Sequence, residues 1–219
     1  MNMMHIQKIA IVGAGGHGKV VLEALLAQQE MRTPITMYGW LDDVSERHGK
    51  AFCGYPIVGG RALFPQLKIE NVAVIIALGD NAKRVEIAAE MNRFGIDAYT
   101  ITHPSAVVSK SANIGKGCMI ITRAVVHPDA IIGDHTIINT GAIVEHDNVI
   151  GSFCHIAPGV NLGGRVKIGD FTDVFTNATV LPDVTVGNHC VIGAGAVVLR
   201  DVPDYVTVVG NPARILKKE

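Results

Sequence analysis

A histidine with a carboxylate on each side lies at Glu145-His146-Asp147. Imidazole is the most common general base in group transfer, because its pKa lies close to neutral pH. A neighbouring carboxylate can fix the tautomer of the ring and raise its basicity. The triplet therefore predicts that His146 is a general base and that one of its two neighbours orients it. The alternative interpretation is an exposed histidine in a solvated turn.

A glycine-rich segment, Gly13-Ala14-Gly15-Gly16-His17-Gly18, follows an apolar run over residues 6–12 and precedes an apolar stretch with helical spacing over residues 20–26. This order of strand, glycine-rich turn and helix is the context that the G-x-G-x-x-G motif requires. Backbone N–H groups at the start of a helix bind phosphate well. The segment predicts a phosphate-binding loop, and tight packing of helix against strand is the alternative explanation of its glycines.

Polar residues also follow two further predicted strands. Asp42-Asp43 comes after the run over residues 35–41, and Gly79-Asp80-Asn81 comes after the run over residues 72–78. Ligands of parallel α/β sheets bind at the carboxyl ends of the strands, where an acidic residue after the second strand suits a ribose hydroxyl. Residues 1–103 therefore predict a Rossmann-like α/β domain for NAD or a nucleotide sugar. A solvated turn is the alternative for Asp42-Asp43.

Residues 106–201 repeat with a period of six, and the third position of every hexad is a branched aliphatic residue. These residues are Val108, Ile114, Ile120, Val126, Ile132, Ile138, Val144, Ile150, Ile156, Leu162, Ile168, Val174, Val180, Val186, Ile192 and Val198. Glycine follows every third member of this series, at Gly115, Gly133, Gly151, Gly169 and Gly187. Three hexads therefore form one turn, and we expect glycine at one corner because its φ there is positive.

This periodicity predicts a parallel β-helix over residues 104–219. Alternate residues of a strand point to opposite faces, so the first and third positions of each hexad face one core. Cys118, Cys154 and Cys190 occupy first positions two coils apart, at steps of roughly 10 Å, which is too far for a disulfide. We expect them to be core residues without a redox role. A β-sandwich is the alternative, but its strands and loops vary in length and lose such a period.

The remaining histidines of the repeat do not predict a metal site. A shared ion needs ligands on one face of adjacent coils, whereas His135 and His189 share a corner three coils apart, at roughly 14 Å. His155 lies at an outward second position and is either a ligand-binding residue or a plain surface histidine. We expect His127, His135 and His189 at the surface and no metal in the reaction.

Composition excludes two classes of partner. The 219 residues are 48% hydrophobic and only 5% aromatic, and the net charge is −1, so the chain has neither the aromatic platforms nor the basic footprint of a nucleic-acid-binding protein. No apolar run approaches the ~20 residues that span a bilayer, and the N-terminus lacks the apolar stretch of a signal peptide. We expect a cytoplasmic protein without membrane insertion.

Six segments together resemble the bacterial sugar acyltransferases of the left-handed β-helix superfamily. They are most similar to the UDP-4-amino-sugar N-acetyltransferases in the sialic-acid O-acetyltransferase-like branch. The segments are Gly13-Ala14-Gly15-Gly16-His17-Gly18, Ala77-Leu78-Gly79-Asp80-Asn81, Ile138-Asn139-Thr140, Val144-Glu145-His146-Asp147, Asn148-Val149-Ile150-Gly151 and Gly210-Asn211-Pro212-Ala213-Arg214. The resemblance covers nearly the whole chain, and it implies a left-handed β-helix, a homotrimer and an acetyl-CoA groove between neighbouring β-helices.

The same resemblance implies roles for individual residues. Residues that would bind the UDP part are Gly13, Gly15, Gly16, His17, Asp42, Asp43, Gly79, Asp80 and Asn81. Asn139 would contact the sugar near the base. Residues that would line the CoA groove are His155, Gly164, Gly193 and Ala194. His146 would be the general base, with Asp147 as its carboxylate partner and Glu145 as the alternative.

The implied reaction is direct transfer of an acetyl group from acetyl-CoA to the C4 amine of a UDP-4-amino-4,6-dideoxy-N-acetylhexosamine. This is the chemistry that makes diacetamido sugars of the bacillosamine type for glycan assembly. O-acetylation of sialic acid or a related sugar would use the same fold and histidine, so it is the first alternative. The glycine-rich loop alone also allows an NAD-dependent oxidoreductase. A nucleotide-sugar sensor without catalysis is the non-enzymatic alternative.

Overall fold

The computed structural model describes residues 6–218. It divides the chain between Pro104 and Ser105 into two compact units. The strands of the first unit are β1 (Gln7–Val12), β2 (Ile35–Leu41), β3 (Ala51–Phe52), β4 (Tyr55–Gly59), β5 (Val72–Ile76) and the short β6 (Ile101–Thr102). Its helices are α1 (Gly16–Glu30), α2 (Phe64–Ile69) and α3 (Asn81–Phe94), with 3₁₀ turns at Ser45–Arg47 and Arg61–Leu63.

The first five strands form one sheet in the order β3-β4-β2-β1-β5. All pairs are parallel except β3 with β4. Every residue of β5 is buried, as are the last four of β1, because a parallel sheet is covered on both faces. The predicted strands at 6–12, 35–41 and 72–78 are therefore confirmed to within two residues, and the sheet brings their carboxyl ends to one edge.

The second unit begins with a series of two-residue strands, one in each hexad. These strands are β7 (Val107–Val108), β8 (Asn113–Ile114), β9 (Met119–Ile120), β10 (Val125–Val126), β11 (Ile131–Ile132), β12 (Ile137–Ile138), β13 (Ile143–Val144), β14 (Val149–Ile150), β15 (His155–Ile156), β16 (Asn161–Leu162), β17 (Lys167–Ile168), β18 (Asp173–Val174), β19 (Thr179–Val180), β20 (Thr185–Val186), β21 (Val191–Ile192) and β22 (Val197–Val198). An antiparallel hairpin of β23 (Val206–Val209) and β24 (Arg214–Lys218) follows.

Each of these short strands pairs in parallel with the strand three hexads away, so the chain winds into a three-sided β-helix. The pairs Val125↔Val107 and Ile143↔Val125 show the constant offset of 18 residues. First and third hexad positions pack together in one continuous core, as predicted. Cys118, Cys154 and Cys190 are buried in that core and are not disulfide-bonded, which confirms their predicted place.

One inner column of this core alternates cysteine with threonine. Its side chains donate to carbonyls of the following coil: Thr136 Oγ1 to Gly151 O at 2.8 Å and Cys154 Sγ to Gly169 O at 3.1 Å. Small donors at these positions therefore satisfy backbone carbonyls that an alanine would leave unpaired. Burial raises the pKa of the Cys118 thiol to about 12, so this thiol stays protonated.

The prediction of positive φ at the corner glycines is wrong. Positive φ recurs instead at the sixth position of the hexads, at Gly117, Arg123, Asp129, His135, Gly141, Asp147, Phe153, Gly159, Arg165, Phe171, Asn177, Asp183, His189 and Gly195. The corner glycines are required because the next coil passes too close for a side chain. A Cβ at Gly133 would lie 2.5 Å from Ser152 N, and one at Gly151 would lie 2.7 Å from Asp170 N.

A stack of aromatic rings follows one corner of the β-helix. His135, Phe153, Phe171, His189 and Tyr205 stack in that order, with ring centroids 4.6–5.7 Å apart. His135 is only 8% exposed, so the prediction that it lies at the surface is wrong. It is buried because the ring of Phe153 covers it, which the 18-residue spacing of the two could have indicated.

The contact between coils predicts a cost for any side chain at a corner glycine. Gly151→Ala should lower the free energy of unfolding by about 1–3 kcal/mol, because the added methyl group overlaps the backbone of the next coil. Gly141→Asn is the matched control. Gly141 has φ +65 and open space at its Cβ position, and asparagine tolerates this conformation, as Asn177 does at φ +57.

Urea unfolding followed by circular dichroism measures both variants. Gly141→Asn should change the free energy of unfolding by less than about 0.5 kcal/mol. If Gly151→Ala is as stable as the unchanged protein, coil spacing does not explain the glycine period.

Candidate active site

The turn that carries the predicted base places Asp147 against the imidazole ring. His146 Nδ1 lies 2.7 Å from Asp147 Oδ2, and the two side chains are 48% and 54% exposed. An ionised carboxylate only accepts hydrogen bonds, so Nδ1 carries the proton and Nε2 keeps a free lone pair. Glu145 Oε1 instead lies 3.5 Å from His127 Nε2. Of the two candidate carboxylates, Asp147 is therefore the one that contacts the His146 ring.

The left-handed backbone of Asp147 makes this pairing available. Asp147 occupies a sixth hexad position with φ +58, and its backbone N–H donates to Pro128 O of the preceding coil at 3.1 Å. A carboxylate next in sequence to a histidine usually points to another side of the chain. Here the left-handed residue turns it back toward the ring.

The coil that follows supports the ring of His146. A Cβ at Gly164 would lie 2.7 Å from His146 Nε2, so only glycine leaves this space to the imidazole. The next residue, Arg165, donates to Asp183 at 2.6 and 2.8 Å. The hydrogen bond to Asp183 is the main cause that raises the pKa of Arg165, and the nearby Asp147 carboxylate adds to it. The pKa of Asp183 is lowered first by Arg165 and further by His146.

A second polar pair joins two residues for which different roles were predicted. Asn139, only 8% exposed, lies with its Nδ2 3.0 Å from His155 Nε2. Its Oδ1 accepts the backbone N–H of Thr140 at 2.8 Å. The amide orientation that this bond fixes directs Nδ2 to donate to the ring, so His155 Nε2 is the acceptor.

The two predicted groove residues near the end of the β-helix lie on a tight turn. A Cβ at Gly193 would lie 2.7 Å from Val209 Cγ1, so β23 approaches the coil closely here. Ala194 is exposed. These two residues therefore present little more than backbone at the surface.

In the first unit, a cavity lies at the carboxyl ends of the strands, as predicted. Gly13, Asp42, Asp43, Leu78 and Lys83 contribute to its lining. The sheet order places β1 between β2 and β5, so the segments that follow these three strands converge at this edge.

The glycines of the loop serve two different purposes. Gly13 has φ +103, and a Cβ there would lie 2.7 Å from Leu78 Cδ2. A Cβ at Gly18 would lie 2.2 Å from Gly13 O, so this glycine lets α1 pack on the loop. Gly15 and Gly16 are exposed and have open space at their Cβ positions. Packing explains the outer glycines, and only the inner pair leaves room for a ligand.

The two acidic residues after β2 are held by arginines. Asp42 accepts the backbone N–H of Val44 at 3.0 Å and pairs with Arg47 Nη1 at 2.5 Å. Arg47 Nη2 in turn donates to Ala14 O of the glycine-rich loop at 2.6 Å. Asp43 Oδ2 accepts Arg61 Nε at 2.6 Å. These contacts tie both carboxylates to arginines at the rim of the cavity, while the side chain of Asp43 stays half exposed.

A buried arginine shapes the loop after β5. Arg84 is fully buried, and its guanidinium donates to Leu78 O at 3.0 Å, Gly79 O at 2.8 Å and Asn81 Oδ1 at 2.6 Å. Asp80 caps α3 by accepting the Lys83 backbone N–H at 3.0 Å. The side chains of Asp80 and Asn81 thus stabilise the loop and the start of α3.

The same arginine affects the histidine of the glycine-rich loop. Burial, and secondarily the positive charge of Arg84, lowers the pKa of His17 to about 4. His17 is therefore neutral at physiological pH and can both donate and accept a hydrogen bond.

Metal ligands and membrane-spanning helices are both missing from the described chain. Within residues 6–218, no three histidine, cysteine or acidic side chains are grouped to hold a metal ion. In the same segment, no helix has the length and apolar character needed to cross a membrane.

Known families match both units. The model described as the PglD N-terminal domain covers residues 8–91, and the bacterial transferase hexapeptide model, of six repeats, covers residues 174–200. Among curated proteins, UDP-N-acetylbacillosamine N-acetyltransferase of Bacillus subtilis is 40% identical over 121 residues. That alignment spans 53% of this chain and 52% of the relative, so the chain matches about half the length of this curated protein.

Solved structures match almost the whole chain. A variant of perosamine N-acetyltransferase from Caulobacter crescentus, in complex with CoA and GDP-perosamine, is 36% identical with a TM-score of 0.89 over 97% of this chain and 98% of that one. The acetyltransferase domain of PglB from Neisseria gonorrhoeae, in complex with acetyl coenzyme A, is 37% identical with a TM-score of 0.88 over 96% and 99%. The chain belongs to the hexapeptide-repeat sugar N-acetyltransferases.

Membership in this family confirms the resemblance that the sequence indicated. The fold is an N-terminal α/β domain followed by a left-handed β-helix of hexapeptide repeats, and the chain is an acetyl-CoA-dependent acyltransferase.

Three arginines of this acetyltransferase were missed by sequence reasoning. Arg47 and Arg61 lie in short 3₁₀ turns, and Arg84 lies in a helix whose surface is otherwise charged. The sequence around each of these arginines predicts a solvent-exposed side chain. Only for Arg84 did the sequence contain an indication of its contact. Arg84 follows Asn81 by three residues, so the two side chains lie on the same side of the helix.

The lowered pKa of His17 predicts a pH dependence of stability. Between about pH 6.5 and about pH 4 the unfolded chain binds a proton at His17 that the folded domain does not, so the free energy of unfolding falls as the pH falls through this window. His17→Gln removes the titrating group. Urea unfolding at about pH 7 and about pH 5 should show that the free energy of unfolding falls less in the variant than in the unchanged protein. Equal losses in both proteins would contradict the burial of His17.

Proposed function

We propose that this chain transfers the acetyl group of acetyl-CoA to the C4 amine of a UDP-4-amino-4,6-dideoxy-N-acetylhexosamine. The observation that carries the proposal is the 2.7 Å contact of His146 Nδ1 with Asp147 Oδ2, in a chain that matches solved sugar N-acetyltransferases over nearly its full length. Asp147 is the residue that orients the base, and Glu145 is not.

The reaction follows from the state of the imidazole. The amine nitrogen attacks the thioester carbonyl, a C–N bond forms, and the proton that the nitrogen loses passes to His146 Nε2. Asp147 stabilises the resulting imidazolium through Nδ1–H. The C–S bond then breaks, the acetamide forms, and the CoA thiolate takes a proton from the imidazolium. Positioning of the two substrates supplies a further large part of the rate.

The donor is bound along the β-helix in this proposal. His155, Gly164, Gly193 and Ala194 are the residues assigned to CoA, and a homotrimer supplies a neighbouring β-helix that completes the groove. The backbone at the half-buried Gly193 and the exposed Ala194 suits the amide-rich pantetheine arm of CoA. Gly164 serves the donor site by leaving one side of the His146 ring without a side chain.

The nucleotide part of the acceptor is bound by the first unit. Gly15 and Gly16 leave open space at the start of α1, where backbone N–H groups favour phosphate. Lys83, in the lining of the cavity at the carboxyl ends of the strands, adds positive charge for a diphosphate. The neutral His17 can bond to a sugar or phosphate oxygen. Asn139 is assigned to the sugar near the base.

A GDP-linked amino sugar is the second candidate acceptor. The Bacillus relative is named for a UDP-sugar, whereas the Caulobacter structure contains GDP-perosamine and matches far more of this chain. Both acceptors carry the amine that the mechanism requires, so the transfer chemistry is the same for either nucleotide.

The role of the triplet predicts an order of effects. His146→Ala should lower kcat by about 10²–10⁴-fold, because the general base is lost. Asp147→Asn should also lower kcat, because its amide no longer fixes the Nδ1–H tautomer, whereas Glu145→Gln should have a much smaller effect. Release of the CoA thiol at saturating substrate measures turnover, and circular dichroism checks folding. Near-normal turnover in His146→Ala would refute the assignment of the base.

The acceptor is tested by the same thiol release with three sugars. Purified protein and acetyl-CoA are mixed with UDP-4-amino-4,6-dideoxy-GlcNAc, GDP-perosamine or free sialic acid. We expect release with the UDP-amino sugar. Release with GDP-perosamine alone would change the proposed nucleotide from UDP to GDP and leave the proposed reaction unchanged. Release with sialic acid alone would show O-acetylation instead of N-acetylation.

A further inference from the structure

One inner column of the β-helix contains a polar residue that its packing does not require. First hexad positions 18 residues apart stack at Ala112, Ala130, Asn148, Val166 and Val184. Asn148 is fully buried, and its Oδ1 has no hydrogen-bond partner among residues 6–218. Burying a carbonyl oxygen in this way costs free energy that alanine or valine would not incur. Core packing alone therefore does not account for Asn148.

The amide group of Asn148 closes the turn that carries His146. Asn148 Nδ2 donates to Glu145 O at 2.8 Å. In three equivalent turns on this side of the β-helix, the corresponding bond comes from the backbone and is longer: Ala112 N–H to Ser109 O at 3.1 Å, Ala130 N–H to His127 O at 3.5 Å and Val184 N–H to Leu181 O at 3.4 Å. The turn over residues 145–148 is thus held from inside the core by a shorter bond than its neighbours.

We propose that Asn148 is a positioning residue for His146, a role that rests on the proposed function. The side chains of His146 and Asp147 are both about half exposed, so packing from outside does little to hold them. The bond between them depends on where the two backbone positions lie. Asn148 ties the carbonyl just before His146 to the core, and it follows directly after Asp147. It therefore restrains the segment that carries both partners from its two ends.

The test replaces Asn148 with valine, the residue of the next two coils in the same column. Asn148→Val should leave the midpoint of thermal unfolding unchanged or raise it, because a buried carbonyl oxygen is removed. It should lower kcat by about 10–100-fold, because the base is less well placed, while KM for acetyl-CoA changes less than about twofold. Asn148→Ala, which matches Ala130, gives the same test if valine does not fit.

Thr172→Val is the matched control. Thr172 Oγ1, in another inner column, donates to Gly187 O at 2.8 Å and accepts the Cys190 backbone N–H at 3.0 Å. Its loss leaves two backbone groups without these bonds and, unlike Asn148→Val, removes no unsatisfied atom. We expect this variant to lose stability and keep its kcat. Wild-type kcat in folded Asn148→Val, or an equal fall of kcat in Thr172→Val, would overturn the proposal.

A double variant distinguishes positioning from a general structural role. If Asn148 acts through the His146–Asp147 pair, the loss of kcat caused by Asn148→Val should shrink in an Asp147→Asn background. The same fold-loss of kcat on Asn148→Val in the wild-type and Asp147→Asn backgrounds would contradict a role through this pair. Normal activity of His146→Ala would show that the proposed function itself fails. An inactive His146→Ala together with a fully active Asn148→Val would show that only the positioning role fails.

Discussion

The constant offset of 18 residues between bonded coils is the constraint on which the second unit depends. From β7 to β22, each bonded pair of strands keeps this offset without a register shift, as between β13 and β16 or β16 and β19. Residues with the same position in the repeat must therefore stack. This one rule produces the aliphatic core, the ring stack that includes Phe153, and the column in which Asp147, Arg165 and Asp183 alternate in charge.

The same rule builds the turn to which we assign the general base. Gly164 lies beneath His146 because it is 18 residues further along, and a side chain there would displace the imidazole ring. Asp147 reaches that ring from a left-handed backbone, which recurs at the sixth hexad positions from Gly117 to Gly195. The proposed catalytic pair thus needs no special loop. It uses the standard corner of the fold, with one glycine below and one asparagine inside.

Much of this could be predicted from the sequence because the period is local and strict. Third positions of the hexads and the inward cysteines were assigned correctly, since their direction follows from strand geometry. Which of Glu145 and Asp147 contacts the His146 ring could not be predicted from spacing, because it depends on the φ of Asp147. The corner glycines were explained wrongly for a related reason: the atom that excludes their side chain belongs to the next coil. Arg84 was missed because its partners are backbone carbonyls, which leave no mark on the pattern of residue types.

Buried polar side chains occur in both units beside the residues assigned to function. Arg84 places a full charge inside the first unit, where backbone carbonyls and Asn81 accept its hydrogen bonds, and that charge helps to keep His17 neutral. Asn148 places an amide inside the β-helix next to the His146 turn. Apolar residues would fill either space at lower cost, since desolvation of a polar group is only partly repaid by its hydrogen bonds. In each unit the added rigidity falls on the loop or turn to which we assign a substrate-binding or catalytic role, which is where a loss of stability can be offset by a gain in rate.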